Sequence, residues 1–593
     1  MRGIRWLPVA AAMAAVALTA PSARAQEKQA TANGSGGAAA SVDPLATQAA
    51  IDVLKAGGNA FDAAVAAASV LGVVEPYSCG IGGGGFMVIR DGKTGDIKTI
   101  DSREKSPAAM VPSSFFIDGK APTDAQFSIN RYSGLSAGVP GTPYAWSYLL
   151  RHYGTYELKE ALAYGIKVAR RGFTVDQTFF DQTTPNAPYF DDIPSTAAIY
   201  LDADRTSKDV GTVIRNPDMA KTYRLMGARG VSKGFYSGPV ADAIVKASTT
   251  VPVAPGADHS WRPGLMTNRD LERYAIKVRE PVELDYFGHK LYGMGPPSSG
   301  GTTVFETLNI MQDFSRRGIA DKGRAGTLYH FLEASRLAYA DRNKYLGDPS
   351  FVRNPVEGLL SNEYAATRAA LIGDLAPSGP VAAGTPPGVA GASGSAASVD
   401  RVGSTTHLSV ADKDGNIVAY TFTIESTGGN GVVVPGYGFL LNNELTDFDT
   451  ASVTAPNRPE GNKRPRSSIS PVIVTKNDRP FLTLGSPGGA TIITTVGQTL
   501  VNRLTLHMPI QDALAAPRAS QRNSATTEAE SAFQNAQYGQ DLYSQYGERY
   551  RLPAGDEIGA LTGIEWKSTK RLRAVAEPVR RGGGSAMVVT PSP

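Results

Sequence analysis

A hydroxyl residue that could act as a nucleophile stands at an abrupt change in the character of the chain. Residues 376–404 consist mostly of Gly, Ala, Ser and Pro, and Thr405-Thr406-His407-Leu408-Ser409-Val410 follows them directly. Segments without large apolar side chains bury too little surface to order themselves, whereas β-branched residues favour strands. We therefore expect a flexible tail to end at Thr405, where a strand begins. This pattern alone fits an ordinary strand start as well as a reactive threonine.

Two better-known catalytic spacings occur in contexts that disfavour them. Residues 80–85 match G-x-G-x-x-G, but that dinucleotide motif must open a helix, and Phe86–Ile89 reads as a strand. A tight backbone turn is the simpler interpretation. Residues 134–138 match the G-x-S-x-G nucleophile elbow around Ser136, yet no buried strand precedes it and Pro140 disfavours a helix directly after it.

Metal and thiol chemistry find little support. The six histidines are scattered, without an i, i+4 pair or a neighbouring C-x-x-C, so we expect no metal and no cofactor. Cys79 is the only cysteine, which excludes an internal disulfide, and we expect it to be a small buried residue rather than a nucleophile.

The elements that must position Thr405 can be read from apolar spacing. Residues 44–74 predict a helix, a Gly57-Gly58-Asn59 turn and a second helix. Short apolar runs predict strands at Phe86–Ile89, Leu408–Ala411, Ile417–Phe422, Val472–Val474 and Phe481–Leu484. No solenoid repeat is present.

Composition bounds the class of protein. The chain has 593 residues, 42% of them hydrophobic and 19% charged, which is typical of a large globular protein. A net charge of +4 without a basic run argues against nucleic-acid binding. Residues 1–25 carry Arg2 and Arg5, an apolar run and Ala23-Arg24-Ala25, the order of a secretory signal peptide. We expect cleavage before Gln26, export to the periplasm or the medium, and no membrane anchor, because the apolar run is short for a spanning helix.

Several motifs in order resemble one family. The segment from Thr405 to Val410, with the motifs after it, is similar to the catalytic chain of the γ-glutamyltransferases (γ-glutamyltranspeptidases), and upstream motifs resemble that family's large chain. The resemblance spans about residues 40–590. It is carried by Ala56–Ala60, Glu75-Pro76, Gly80–Phe86, Asp101–Glu104, Pro296–Gly301, Asp414–Asn416, Leu441–Glu444, Asp447-Phe448, Arg466–Pro471 and Gly485–Gly489.

The resemblance implies an α+β fold, the four-layer αββα sandwich of the N-terminal-nucleophile hydrolases. It also implies autocatalytic cleavage between Ser404 and Thr405, giving a large subunit of residues 26–404 and a small catalytic subunit of residues 405–593, interwoven as one unit. An alcohol is a poor nucleophile unless a base takes its proton, and a freed α-amine has an ordinary pKa near 7.7–8.0. Thr405 would thus be both nucleophile and base.

By the same resemblance, Thr423 hydrogen-bonds the Thr405 hydroxyl. The backbone N–H groups of Gly488 and Gly489 bind the oxyanion, since residues without side chains allow a close backbone approach.

The donor end of the pocket follows from the substrate. A γ-glutamyl group carries an α-carboxylate, which suits Arg103 with the hydroxyls of Ser467 and Ser468, because an arginine fork can engage a carboxylate bidentately. It also carries an α-ammonium, which suits the acids Glu444 and Asp447.

The sequence departs from well-known bacterial relatives at three places. Glu425 stands where they carry an Asn that holds the amino group; Glu could still accept from an ammonium, and it adds negative charge beside Glu444 and Asp447. The segment between Phe448 and Arg464 is short and lacks the longer loop that covers the pocket in some relatives, so bulky donors could enter. Ala490-Thr491 replaces the more usual Ser-Arg.

The resemblance thus implies an exported γ-glutamyltransferase and glutathione hydrolase. Its partners would be small-molecule γ-glutamyl donors such as glutathione, with amino-acid or peptide acceptors. Two alternatives stay open: a β-lactam (glutaryl or cephalosporin) acylase of the same superfamily, and an inactive relative that serves as a binding protein.

Overall fold

The computed structural model describes residues 28–316, 318–389 and 403–592. The expected signal peptide and residues 390–402 of the Gly-rich segment lie outside them. Within these ranges, no helix is long and apolar enough to cross a lipid bilayer.

The strands fall where the apolar runs predicted them, together with others that had no such signal. They are β1 (Thr31–Ser41), β2 (Gly84–Arg90), β3 (Ile97–Asp101), β4 (Phe173–Thr174), β5 (Val213–Ile214), β6 (Lys277–Arg279), β7 (Val282–Tyr286), β8 (His289–Gly293), β9 (Thr406–Asp412), β10 (Ile417–Thr423), β11 (Val472–Lys476), β12 (Arg479–Gly485), β13 (Ala519–Ser520), β14 (Thr527–Ala529), β15 (Tyr550–Arg551), β16 (Thr562–Trp566), β17 (Leu572–Ala576) and β18 (Ser585–Pro591).

The helices include the pair predicted over residues 44–74. They are α1 (Pro44–Lys55), α2 (Ala60–Val74), α3 (Phe127–Arg131), α4 (Thr142–Tyr153), α5 (Leu158–Arg171), α6 (Gln177–Thr183), α7 (Ala187–Phe190), α8 (Pro194–Tyr200), α9 (Pro217–Gly234), α10 (Pro239–Thr249), α11 (Asn268–Glu272), α12 (Gly300–Arg316), α13 (Gly323–Tyr345), α14 (Val356–Leu359), α15 (Asn362–Ala369), α16 (Ile492–Leu500), α17 (Ile510–Ala515), α18 (Ser531–Asn535) and α19 (Gln537–Tyr546).

One large sheet folds over on itself to make the two central layers. Its strand order is β6-β3-β2-β10-β9-β1-β17-β16-β12-β11-β8-β7, with β18 also paired to β1, and its pairings are antiparallel. Strands distant along this order touch across the fold: β9 contacts β12 and β16, and β10 contacts β12. Helices cover both outer faces, which confirms the expected αββα arrangement.

Alternation along the strands assigns each face to a layer, as the two-residue period of a strand requires. In β2, Met87 and Ile89 pack into the cluster that contains α1 and α2, whereas Val88 points into the cluster between the two sheet layers. In β11, Ile473 joins that inner cluster, while Val472 packs with α12, α13 and α16.

The helix pair that precedes β2 begins at well-formed caps. The side chain of Asn59 accepts from the backbone of Phe61 and Asp62, and Asp62 accepts from the backbone of Asn59, so the Gly57-Gly58 turn leads into a capping box. Such a cap stabilises a helix by about 1 kcal/mol. Helix α2 is buried along its whole length and lies against α5 and β9, which fixes the sheet end that carries the site.

The glycine run of residues 80–85 is a close backbone contact. A Cβ at Gly83 would lie 2.0 Å from the Thr423 carbonyl oxygen, and one at Gly82 would lie 1.9 Å from that of Leu440. Gly84 and Gly85 already belong to β2, so the run leads into a strand and not into a helix. The glycines thus let the chain pass directly beside the end of β10.

The described half of the segment expected to be flexible lies against the body of the protein. The backbone of Val381 exchanges hydrogen bonds with the Asn523 side chain, and Gly384 donates to Asp341 Oδ1 at 2.6 Å. Gly384 also accepts from the Tyr345 hydroxyl. These contacts depend on residues far away in sequence, which composition does not reveal.

Candidate active site

A cavity of about 440 Å³ opens where β9 begins and β10 ends. Its lining joins elements from both sides of the Ser404–Thr405 bond. It contains nine of the ten residues that the sequence predicted: Arg103, Thr405, Thr423, Glu425, Glu444, Asp447, Ser467, Ser468 and Gly489. The tenth, Gly488, adjoins Gly489 in sequence.

Thr405 is buried, and its hydroxyl faces the bond that precedes it. Thr405 Oγ1 lies 2.7 Å from the carbonyl oxygen of Ser404 and 3.2 Å from Thr423 Oγ1. The Thr423 hydroxyl donates to the same Ser404 carbonyl at 2.6 Å. Two hydroxyls therefore converge on one peptide group, and their hydrogen bonds polarise its carbonyl.

The backbone of Glu425 holds this arrangement from behind. Its N–H donates to Thr423 Oγ1 at 2.8 Å, which leaves the Thr423 proton for the Ser404 carbonyl, and its carbonyl accepts from Ser404 N at 2.6 Å. Glu425 has a φ of 76°, a left-handed conformation that is uncommon for residues with a side chain and that concentrates at functional sites.

Arg581 supports the junction from the other side, and sequence reasoning missed it. Its Nη1 donates to the Thr405 carbonyl at 2.9 Å, and its Nη2 donates to the hydroxyls of Ser78 and Ser404. Burial lowers the pKa of Arg581, an effect that nearby Glu75 opposes. One half-buried cation thus holds residues on both sides of the Ser404–Thr405 bond.

Gly488 and Gly489 adopt conformations that other residues rarely reach, with φ of 138° and 57°. A Cβ at Gly403 would lie 3.4 Å from the Gly489 Cα, so the glycine pair is close to the junction. A Cβ at Gly488 would itself lie 2.7 Å from Thr491 Oγ1. The turn therefore requires glycine, and Gly489 lines the cavity without a side chain.

Arg103 is joined directly to Glu444 and Asp447, the two acids that the sequence assigns to the opposite charge of the donor. Its Nη1 donates to Glu444 Oε1, its Nη2 donates to Asp447 Oδ2 at 2.5 Å, and it also donates to the carbonyls of Pro465 and Arg466. Although burial opposes its charge, Glu444 and Asp447 raise the pKa of Arg103 above its ordinary value. Its fork is thus already engaged by carboxylates of the chain itself.

Burial makes the acids around Arg103 reluctant to ionise. It raises the pKa of Glu104 to about 8, although Arg103 opposes the shift. Burial and then Asp447 raise the pKa of Glu425 to about 7. Glu425 Oε2 accepts from Ser426 Oγ at 2.5 Å and from the Asn443 side chain. Glu425 therefore titrates near neutral pH inside the cavity.

Ser467 and Ser468 lie on a loop that pairs with residues 296–301. Ser467 N donates to the Pro297 carbonyl at 3.0 Å, and Ser299 N donates to the Ser467 carbonyl at 2.8 Å. Ser467 Oγ accepts from Ile469 N, whereas half-buried Ser468 turns its side chain to Arg342. The two serines predicted for one role therefore differ in their surroundings.

Known proteins are similar in sequence to this chain along most of its length. The model of the family described as gamma-glutamyltranspeptidase matches residues 46–587. The chain belongs to the γ-glutamyltranspeptidase family. It is 40% identical over 494 residues to the glutathione hydrolase proenzyme of Bacillus subtilis, covering 82% of this chain and 80% of that one. It is 37% identical over 493 residues to the glutathione hydrolase proenzyme of Escherichia coli, covering 81% and 80%.

The solved structures extend the likeness to an acylase. The cephalosporin acylase from Bacillus halodurans superposes with a TM-score of 0.78 at 28% sequence identity, covering 96% of this chain and 99% of that one. The γ-glutamyltranspeptidase chain thus has a fold in common with an enzyme named for a different substrate, so the fold alone does not choose the donor.

Two segments that are distant in sequence line part of the γ-glutamyltranspeptidase cavity. Pro122–Asp124 and Phe127 come from the region before Thr405, and residues 448–452 come from the region after it. The short segment between Phe448 and Arg464 therefore shares the lining with a distant part of the chain.

The other residues that the sequence offered as candidates are buried inside the protein. Ser136 is buried and donates to the carbonyls of Arg131 and Ser133, so its hydroxyl is not presented to solvent. His407 is buried between Thr421 and Ser409, and burial lowers its pKa to about 3. Cys79 is buried, and burial raises the pKa of its thiol well above the ordinary value.

One cluster among the described residues has side chains of the metal-binding kind: Asp192, Asp258 and His259. Asp192 accepts from Trp261 Nε1 at 2.8 Å and lies 3.0 Å from His259 Nδ1. These protein contacts account for the cluster without an ion, and none of its members lines the cavity around Thr405.

Proposed function

We propose that Thr405 is the nucleophile with which this glutathione hydrolase of the γ-glutamyltranspeptidase family cleaves first its own chain and then its donor. The observation that carries the proposal is the convergence of Thr405 Oγ1 and Thr423 Oγ1 on the Ser404 carbonyl, at 2.7 and 2.6 Å. A carbonyl that accepts a hydrogen bond from Thr423 is activated toward attack by a hydroxyl beside it.

Maturation would run as an N-to-O acyl shift. Thr405 Oγ1 attacks the Ser404 carbonyl carbon, the hydroxyl proton passes to the Thr405 nitrogen, and the C–N bond breaks to leave an ester. Water hydrolyses the ester, giving a carboxylate on Ser404 and a free α-amine on Thr405. The products are residues 26–404, after loss of the signal peptide, and residues 405–593.

In the donor reaction the new α-amine would act as the base for its own hydroxyl. The hydroxyl adds to the γ-carbonyl of the donor, and the oxyanion forms near the N–H groups of Gly488 and Gly489. The amine on the other side of the donor's amide bond then departs with the proton that the Thr405 α-amine took from the hydroxyl. Water releases glutamate from the resulting ester, and the amine of an amino acid or peptide receives the γ-glutamyl group instead when transfer occurs.

The zwitterionic end of the donor fits the paired charges that line the cavity. Its α-carboxylate would meet Arg103 with Ser467 and Ser468, and its α-ammonium would meet Asp447, Glu444 and Glu425. A zwitterion that enters the Arg103–Asp447 pair exchanges one ion pair for two, so no buried charge is left without a partner. Glutathione satisfies these requirements.

In the alternative acylase reaction the donor has no ammonium group. A glutaryl donor would face Glu425, Glu444 and Asp447 with no cation of its own, which disfavours its binding. The retained acids therefore support the γ-glutamyl donor. Export to the periplasm or the medium, suggested by residues 1–25, belongs to the same proposal.

The test combines chain analysis with turnover. Purified protein should separate under denaturing conditions into two chains, the smaller beginning Thr-Thr-His-Leu. It should release the aniline from a γ-glutamyl anilide, and faster when a dipeptide is present to accept the γ-glutamyl group. Thr405→Ala should remain one inactive chain, while Thr405→Ser should cleave more slowly and keep some activity. An intact chain with full activity, or self-cleavage of Thr405→Ala, would refute the proposal.

A further inference from the structure

Arg342 links two serines beside the cavity that contains Thr405. It lies near the C-terminal end of α13 and is buried, with 4% of its surface exposed. Its Nε donates to Ser299 Oγ at 2.8 Å, and its Nη2 donates to Ser468 Oγ at 2.9 Å. Arg342 also lines the cavity. The serines belong to the two paired loops, 296–301 and 466–470.

Hydrogen bonds between these two loops fix the surroundings of the Arg342 side chain. Ser298 Oγ donates to the Ile469 carbonyl at 2.6 Å, and Ser299 Oγ donates to the Ser467 carbonyl at 2.6 Å. Arg342 contributes a third connection, through Ser468. Its orientation is therefore set by both loops.

The direction of each hydrogen bond follows from the guanidinium, which has donors and no acceptor. A serine that touches Arg342 must accept from it, so the serine's own proton is available for another group. Ser299 gives that proton to the Ser467 carbonyl. For Ser468, which lines the cavity, the bond to Arg342 directs the hydroxyl proton away from the guanidinium.

We propose that Arg342 is a positioning residue that presents Ser468 as a hydrogen-bond donor to the α-carboxylate of the donor substrate. The inference rests on the proposed γ-glutamyl activity. Arg103 has few N–H groups left for the substrate carboxylate, because its guanidinium already donates to two carboxylates and two carbonyls. A hydroxyl that accepts from a cation is also a stronger donor, since hydrogen bonds in a chain polarise one another.

The experiment compares two donors that differ only in the α-carboxylate, a γ-glutamyl anilide and a 4-aminobutanoyl anilide. Arg342→Gln should raise the KM of the γ-glutamyl donor about tenfold, the cost of one charge-assisted hydrogen bond, with kcat within about twofold. It should leave kcat/KM of the 4-aminobutanoyl donor within about twofold. Arg342→Lys, which keeps one donor group, should fall between wild type and Arg342→Gln.

Coupling separates positioning from a general effect of charge. Ser468→Ala should have the same donor-dependent effect as Arg342→Gln, and the double variant should be no worse than either, because both remove one interaction. Asn343→Ala is the matched control: it removes the neighbour that accepts from Arg342 Nη1 at 2.8 Å and leaves both serines in place, so kinetics should be unchanged.

Equal losses with both donors, or additive losses in the double variant, would overturn the role of Arg342. If Arg342→Gln does not accumulate as two chains, Arg342→Lys and Ser468→Ala decide the question by the same comparison. A wild-type protein that cleaves itself but does not turn over the γ-glutamyl donor would instead overturn the proposed function, and this inference with it.

Discussion

Replacing Glu425 by Gln should remove a pH-dependent preference for donors that carry an α-amine. Burial and the charge of Asp447 raise the Glu425 pKa to about 7, while Arg131 opposes the shift. At that pKa the ionised fraction is about one tenth at pH 6 and about nine tenths at pH 8. Only the carboxylate form can pair with an ammonium, so the contribution of Glu425 should rise about tenfold over this range.

The assay must separate Glu425 from the Thr405 α-amine, which titrates in the same range. The ratio of kcat/KM for a γ-glutamyl anilide to that for a glutaryl anilide cancels Thr405, because both donors use the same nucleophile and base. We expect this ratio to exceed ten at pH 8 and to fall about tenfold toward pH 6. In Glu425→Gln it should be lower and should change less with pH. A wild-type ratio that does not change with pH would refute the reasoning, as would an unaltered slope in the variant.

The same pKa predicts a stability change with a definite sign. The folded protein holds the Glu425 proton more tightly than the unfolded chain does, whose ordinary pKa is 4.5. Glu425 therefore contributes fully to the free energy of unfolding below pH 4.5. This contribution, on the order of 3 kcal/mol, is lost as the pH rises through about 7. Glu425→Gln should be more stable than wild type at pH 8, measured by denaturant unfolding, and should lose that advantage at pH 5.

Three further substitutions test the remaining parts of the site. Arg103→Lys should raise the donor KM at least tenfold and leave chain cleavage intact, since an ammonium cannot reproduce the fork; unchanged kinetics would remove Arg103 from the site. Thr423→Val should slow cleavage about 10²–10³-fold on a denaturing gel time course, the cost of one oxyanion donor, and normal cleavage would contradict its role. Arg581→Gln should also slow cleavage, because the Thr405 carbonyl and the Ser404 hydroxyl lose a shared charged donor; prompt maturation would show that Arg581 only fills space.

Local patterns predicted what depends on neighbours in sequence. The apolar runs located β2, β9, β10, β11 and β12, and the turn at Gly57 located the break between α1 and α2. Strand β1 was missed because its sequence is rich in Gly and Ala and has a single β-branched residue, Thr31, so its neighbours in the sheet hold it extended.

The site residues also divide into those that stand in sequence motifs and those whose partners lie across the fold. Family resemblance found Thr405, Thr423 and Glu425, which stand in recognisable motifs. Arg342 and Arg581 carry no such signal, because their partners lie across the fold, and the cluster of Arg and Gly at residues 580–584 was the only hint for Arg581. The joining of Arg103 to its acids could not be read from residue types, since charge complementarity gives no distance.

Strand β1 has a consequence for the mature protein. It precedes the Ser404–Thr405 bond, yet it pairs with β9, β17 and β18, which all follow that bond. If the bond is cut as proposed, the two polypeptides share one sheet, and neither can leave the other while both stay folded. Their separation is then the same event as unfolding. Two disordered chains would have to meet again in order to refold, so the midpoint of thermal unfolding should fall as the cut protein is diluted, while that of an uncut precursor should not.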